Sequence, residues 1–264
     1  MSVRLEAVEY GEGPPLAILH GLFGSGRNWA GVAQRLAAHH RVIALDLRNH
    51  GASPWADTME YAELAEDVRA TLRAMGHRRF ALLGHSMGGK AAMVLALAHG
   101  EEVERLVIVD IAPAAYTPHH LAYVRAMRAL DLGAVTRRAE ADARLASAVG
   151  DAAERGFLLQ NLMFPSAAAG GEAHWRLNLA AIERAMPDLA GFPALPAGAA
   201  YAGPALFVAG ARSDYLRPEH EPEIRRLFPN ARITRIADVG HWPHVEQPQA
   251  FLDIVEPFLA GTVG

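Results

Sequence analysis

One pentapeptide constrains this chain more than anything else in it. Gly84, His85, Ser86, Met87 and Gly88 spell G-x-S-x-G between an apolar run short enough for a buried strand, Phe80 to Gly84, and an apolar segment that reads as a helix, Met87 to His99, closed by Gly100. A serine flanked two residues away on each side by glycine, at a strand-to-helix junction, implies a turn so tight that it strains the serine backbone and leaves no room for neighbouring side chains. Ser86 is thereby expected to project from the carboxyl edge of a sheet.

The rest of the chain supplies that sheet. Leu16 to His20, Arg41 to Asp46, Phe80 to Gly84, Arg105 to Ile111, Ala205 to Gly210 and Ala231 to Ile236 read as buried strands, with an edge strand near Val3 to Val8. Amphipathic segments lie between them: Tyr61, Leu64, Val68, Leu72 and Met75 recur at helical spacing before Gly76, and a last helix around Phe251, Ile254, Val255 and Phe258 starts near Pro248. Strands alternating with helices give an α/β fold, a mostly parallel sheet flanked by helices. The alternation fails between Pro113 and Pro204, where no strand-like run occurs. Asp151 with Glu154 forms a capping-box pattern there, and Trp175, Leu179 and Ile182 form a helical stripe ending before Pro187. The expected organisation is a core of residues 1–113 and 201–264 with a helical cap, residues 114–200, inserted after the sixth strand.

Composition narrows the function classes. The 264 residues are 51% hydrophobic and 20% charged, with 25 Lys+Arg against 29 Asp+Glu, a net charge of −4. Such a chain is globular and has no field to gather nucleic acid or anionic membrane. There are no cysteines, hence no disulfides, thiolate metal sites or cysteine nucleophile. Arg4, Glu6 and Glu9 interrupt the N-terminus where a secretory signal needs an apolar stretch, so a cytoplasmic protein is expected. Residues 189–211 are uncharged, but Pro193, Pro196 and Pro204 break any helix there, and no membrane span is expected. His119 and His120 are adjacent, point apart on a helix and lack a suitably spaced carboxylate, so no metal site is expected.

A serine hydroxyl is a weak nucleophile at neutral pH and needs a base within reach and a carboxylate to orient that base. His241, in Asp-Val-Gly-His-Trp-Pro-His directly after the last strand, is the preferred base, with His244 as the nearest competitor and a rim residue. Two aspartates end strands after the nucleophile. Asp110 closes Ile-Val-Asp-Ile-Ala-Pro ahead of the cap and is favoured as the acid; Asp214 follows Ala205 to Gly210 and is the alternative, one residue late, with Ser213 at the expected step. The backbone N–H groups of Leu22, in the glycine-rich His20–Gly26 loop, and of Met87 are candidates for holding a developing oxyanion. Phe23 and Trp242 are candidate substrate contacts; Met87, Phe157, Leu162, Met163 and Trp175 are further candidates for a pocket lining, of which Phe157, Leu162 and Trp175, at helical spacing, fit cap core better. The chain lacks GxxxxGK[ST] and a clean GxGxxG, so nucleotide binding is not expected.

Together, His20–Trp29, Asp46–Pro54, Gly84–Met93, Asp110–Pro113, Glu223–Ala231 and Gly240–His244 resemble the α/β-hydrolase superfamily, and more closely its small esterases of the bacterial YbfF type and the related ABHD-eleven proteins. The resemblance implies a serine carboxylesterase or thioesterase with a helical cap, acting without cofactor on short to medium acyl esters, with Ser86 as nucleophile, His241 as base and Asp110 as acid. Lys90 falls inside the matching segment, where a structural ion pair is expected of it. The rival readings are acyl transfer to an acceptor other than water, as in a perhydrolase or transacylase, and a non-catalytic ligand-binding protein on the same fold. A small acyl ester is the expected partner, and monomer and homodimer are both open.

Overall fold

The computed structural model describes residues 2–165 and 172–262. A seven-stranded sheet runs through it in the spatial order β1 (Ala7–Tyr10), β3 (Arg41–Leu45), β2 (Pro15–Leu19), β4 (Phe80–His85), β5 (Val103–Val109), β8 (Ala205–Gly210) and β9 (Ala231–Ile236). Every pairing is parallel except that of β1 with β3. Parallel strands require crossover connections, and the helices supply them: α1 (Ala30–Leu36), α2 (Tyr61–Ala74), α3 (Met87–Ala98) and α8 (Glu221–Leu227), with a short α9 (Pro243–Glu246) and the closing α10 (Pro248–Leu259). Alternate residues of one strand serve opposite cores. Leu16 and Ile18 of β2 pack with Val32 and Leu36 of α1 and with Phe251 and Val255 of α10, while Ala17 and Leu19 pack on the face covered by Leu64, Val68 and Leu72 of α2.

The edge strand begins at Ala7, later than the Val3 to Val8 expected, because Leu5 and Val3 spend their N–H groups on side chains of α2, Thr71 Oγ1 at 3.0 Å and Asp67 Oδ1 at 2.7 Å. Five strands, β1 to β5, precede the insertion in chain order, a correction to the sixth expected.

The inserted segment holds α4 (His120–Ala129), α5 (Arg138–Leu145), α6 (Ala152–Leu159), a two-stranded antiparallel ribbon of β6 (Leu162–Met163) with β7 (His174–Trp175), and α7 (Leu179–Ala190). The ribbon corrects the expectation of a strand-free insertion. Trp175 lies on it rather than on a helix with Leu179 and Ile182: it pairs with Leu162, and its indole N–H donates to the Met127 carbonyl at 3.2 Å. Asp151 caps α6 by accepting the Glu154 N–H at 2.8 Å, but the reciprocal half of the box is missing because the Glu154 carboxylate accepts the Tyr123 hydroxyl at 2.7 Å instead. Helix α7 continues through Pro187 to Ala190, four residues beyond the expected stop. Its last turn is sustained from outside: the Tyr61 hydroxyl donates to the Leu189 carbonyl at 2.7 Å, and Lys90 Nζ donates to the carbonyls of Ala190, at 3.1 Å, and Gly191. Among the described residues Lys90 therefore makes no ion pair but binds helix-terminal carbonyls, correcting the expectation for it; burial lowers its pKa to about 7.

Candidate active site

Ser86 caps the N-terminus of α3 with φ 51° and ψ −120°, a conformation that L-residues adopt only when the surroundings impose it. The surroundings here are backbone. A Cβ on Gly84 would stand 2.4 Å from the Gly88 carbonyl oxygen, and one on Gly88 would stand 2.5 Å from the carbonyl oxygens of both Leu19 and His20. Both flanking positions thus require glycine because β2, β4 and α3 converge at the turn. Met87 follows as the first residue of α3, so its N–H is among those that lack an intrahelical acceptor.

Asp110 and His241 come together at the adjacent strand ends. Asp110 is fully buried, with φ 51°, just past β5. Its Oδ1 accepts the Gly210 N–H at 2.9 Å, and its Oδ2 accepts both the Ser213 hydroxyl and the Nδ1–H of His241, the latter at 2.7 Å. This bond places the Nδ1 proton towards Asp110 and turns Nε2 away from it, on a ring that lines the same cavity as Ser86. Asp214 is exposed, and among the described residues no hydrogen bond joins it to His241. Ser213, which stands at the step where an acid was sought, instead completes the coordination of Asp110.

The loop carrying Leu22 is pinned by two buried histidines. His20 Nδ1–H donates to the Gly21 carbonyl at 2.8 Å and its Nε2 accepts the Leu47 N–H at 2.9 Å; His50 Nδ1–H donates to the Arg48 carbonyl at 2.9 Å and its Nε2 accepts the Phe23 N–H at 3.2 Å. Such bonding requires neutral rings. Burial, opposing charge, lowers the pKa of His20, and brings that of His50 to about 3, with His20 adding to the effect. Phe23 itself has φ 64°, and its carbonyl accepts from Asn161 at 2.8 Å.

Other histidines fill the site in ways that sequence reasoning missed. His85 donates through Nε2 to the His241 carbonyl at 2.8 Å, and burial, with the neighbouring His241, keeps it neutral. His244 is not a rim residue: it is buried and stacked on Trp29 with ring centroids 3.9 Å apart, and burial brings its pKa to about 3. His120, at the start of α4, lines the cavity beside Ser86 rather than a polar surface, and burial brings its pKa to about 4. No local pattern marks it, because the fold of the inserted segment carries it over the sheet. Tyr215 stacks on His241 with centroids 4.1 Å apart.

Ser86 opens onto a cavity of about 620 Å³ whose lining includes Leu22, Phe23, His120, Phe157, His241 and Trp242. Met87 instead lines a second, smaller cavity on the other side of Ser86. Leu162 and Trp175 are buried in the core beneath the inserted helices. The one trio of potential metal ligands among the described residues, His99, Glu101 and Glu102, lies before β5, at the end of the sheet opposite Ser86, and Glu102 is ion-paired with Arg69 and Arg73. No helix among the described residues is long and apolar enough to cross a membrane.

Residues 14–248 match the model of the alpha/beta hydrolase fold family. The chain is 41% identical over 255 residues to the mouse sn-1-specific diacylglycerol lipase ABHD11, covering 94% of this chain and 81% of the relative. It is 33% identical over 246 residues to the esterase YbfF of Escherichia coli, covering 93% and 92%. Its structure superposes on that of a marine microorganism esterase with a TM-score of 0.92 at 34% identity, covering 97% of this chain and all of the other. With its strand order, its strained serine and these relatives, the chain belongs to the α/β-hydrolase fold family, among the carboxylesterase-type hydrolases.

Proposed function

We propose that the protein hydrolyses acyl esters or thioesters through an acyl-enzyme on Ser86. The observation that carries this reading is the 2.7 Å bond from His241 Nδ1 to the buried Asp110, on a ring lining the same cavity as Ser86. His241 Nε2 takes the Ser86 proton as Oγ attacks the carbonyl carbon, then gives it to the leaving oxygen; water repeats the sequence to release the acid. Asp110 holds the imidazole in the productive tautomer and stabilises its charged form. The N–H groups of Leu22 and Met87 receive the oxyanion, each donor in such sites being worth on the order of 10²–10³ in turnover. Residues 114–200 act as a cap that roofs the acyl-binding space, with Phe23 and Trp242 as substrate contacts. No cofactor enters the scheme, and it asks nothing of a second subunit.

The test is hydrolysis of p-nitrophenyl esters from acetate to decanoate by the wild type, Ser86→Ala, Asp110→Asn and Asp214→Asn. Ser86→Ala abolishes turnover, Asp110→Asn lowers kcat by about 10⁴-fold, and Asp214→Asn keeps wild-type rates. Retained hydrolysis in folded Ser86→Ala overturns the reading. Added alcohols compete with water for the acyl-enzyme, and product analysis measures how far transfer displaces hydrolysis.

A further inference from the structure

Ser86 stands in the wall between two cavities of very different size. The larger, about 620 Å³, has His241 in its lining. The smaller, about 50 Å³, is closed by Lys90, Tyr116, Met186 and Leu189, and among the described residues His241 does not reach it. Leu22, Ser86 and His120 border both.

Addition of Ser86 Oγ to an ester gives a carbon bearing four groups: the serine oxygen, the oxyanion, the acyl chain and the alcohol oxygen. With the oxyanion on the amides of Leu22 and Met87, two arms remain for two cavities. Their assignment follows from proton transfer. The alcohol oxygen leaves with the proton that His241 carries, so it must lie within hydrogen-bond reach of that ring. His241 opens on the large cavity, so the alcohol arm lies there and the acyl chain points into the small one.

We propose, resting on the esterase reading above, that the preferred substrates are short-chain acyl esters of bulky apolar alcohols. Roughly 10–15 Å³ of such free space admits one water-sized group, so the small cavity takes an acyl tail of about three to five carbons and no more. Its ceiling is α7, whose last turn Tyr61 and Lys90 tie to the core, so the space does not expand by a simple shift of that helix. The large cavity has the size of sites that enclose drug-like molecules, and Phe23, Trp29, Phe157 and Trp242 make it apolar. In the acylation step the bond between carbonyl carbon and alcohol oxygen breaks as the bond to Ser86 Oγ forms, and the serine proton passes through His241 to the alcohol. The alcohol leaves by the large cavity, which then admits the water that frees the short acid.

The isomers octyl acetate and methyl nonanoate test this directly, because they share one formula and differ in which side of the ester is long. Octyl acetate is expected to show kcat/KM at least 10-fold above methyl nonanoate. Met186→Ala and Leu189→Ala, which lengthen the small cavity, are expected to shrink that ratio several-fold, and Phe157→Ala is not. A ratio at or below one, or neither isomer cleaved, overturns the inference. p-Nitrophenyl acetate, which fits either orientation, is assayed on the same preparation: its hydrolysis leaves the esterase reading standing when the inference falls, and its failure together with both isomers removes the esterase reading as well.

Discussion

The Nε2–H of His85 donates to the carbonyl oxygen of His241 at 2.8 Å, so the residue that precedes the serine holds the loop that carries the base. The ring centroids of the two histidines are 4.7 Å apart. His85→Phe keeps a planar ring, slightly larger, but loses the donor, and the His241 loop relaxes. The expected result is a fall in kcat of about 10-fold, since small misplacements of a catalytic group cost at least this much, with KM little changed. Steady-state kinetics on a p-nitrophenyl ester, with a melting curve to confirm folding, check it; an unchanged kcat would show that Tyr215 and Asp110 suffice to place the ring.

Gly88 and Gly31 make a matched pair. A methyl on Gly88 meets the carbonyl oxygens of Leu19 and His20, which belong to β2 and the loop behind it and cannot step aside. Gly88→Ala is expected to cost about 1–3 kcal/mol, as overpacking does, and to lower turnover, because the displaced backbone leads directly to Leu22. Gly31 lies in α1, and its added methyl meets nothing within 4 Å. Gly31→Ala is expected to stabilise by up to about 1 kcal/mol, the difference in helix propensity. Urea unfolding of both variants checks the contrast.

Arg48 and Asp67 form a buried pair at 2.5 Å, with side chains 1% and 0% exposed, and Glu63 adds a second carboxylate at 3.0 Å from Arg48. Removing one member of a buried pair leaves a charge without its counterpart and costs about 3–5 kcal/mol; Glu63 keeps Asp67→Asn near the lower limit. At roughly 2–4 °C per kcal/mol for a chain of this size, the melting temperature falls by about 6–12 °C. Calorimetry measures it, and a shift under 2 °C would show that Glu63 takes over the pairing.

Stability is expected to fall as the solution is acidified through the histidine range. His50, His120 and His244 are held neutral by burial, at pKa values of about 3, 4 and 3. The unfolded chain takes up protons near pH 6.5, and the folded chain does not until far lower. Their contribution is therefore complete above pH 6.5 and is lost as the pH falls towards the folded values, at about 1.4 kcal/mol per pH unit for each ring. At pH 5 each has lost about 2 kcal/mol. Denaturant midpoints from pH 8 to pH 5 check this, and a flat profile across that range would refute it.

The sheet and the elbow were legible because their signals are local: an apolar run of five or six residues between turn residues makes a buried strand wherever it occurs. The choice between Asp110 and Asp214 was not, because β5 and β8 are neighbours and both aspartates leave the sheet side by side. What separates them is the left-handed backbone at Asp110 and the donors from Gly210 and Ser213, none of which sequence spacing reveals. The stop expected before Pro187 failed for a related reason. Proline removes a donor within the helix, but the donors that sustain its last turn lie more than 90 residues away, on Lys90 and Tyr61. The place of His120 in the cavity was not legible either, because it depends on how the inserted helices fold back over the core.

Tyr61 on α2 and Lys90 on α3 anchor one end of α7; at the far side of the roof Asn161 and Gln160 bond to the Phe23 carbonyl and to Asn28, and Phe157 meets Trp242 of the loop after β9, with ring centroids 6.2 Å apart. Lifting the anchored end strands carbonyls away from their donors, whereas parting two rings exposes only modest apolar area. The roof is thus pinned by hydrogen bonds both at α7 and just after α6, and the ring contact is the part that separates without breaking one. Parting Phe157 from Trp242, both in the lining of the large cavity, widens that cavity without breaking any of these bonds.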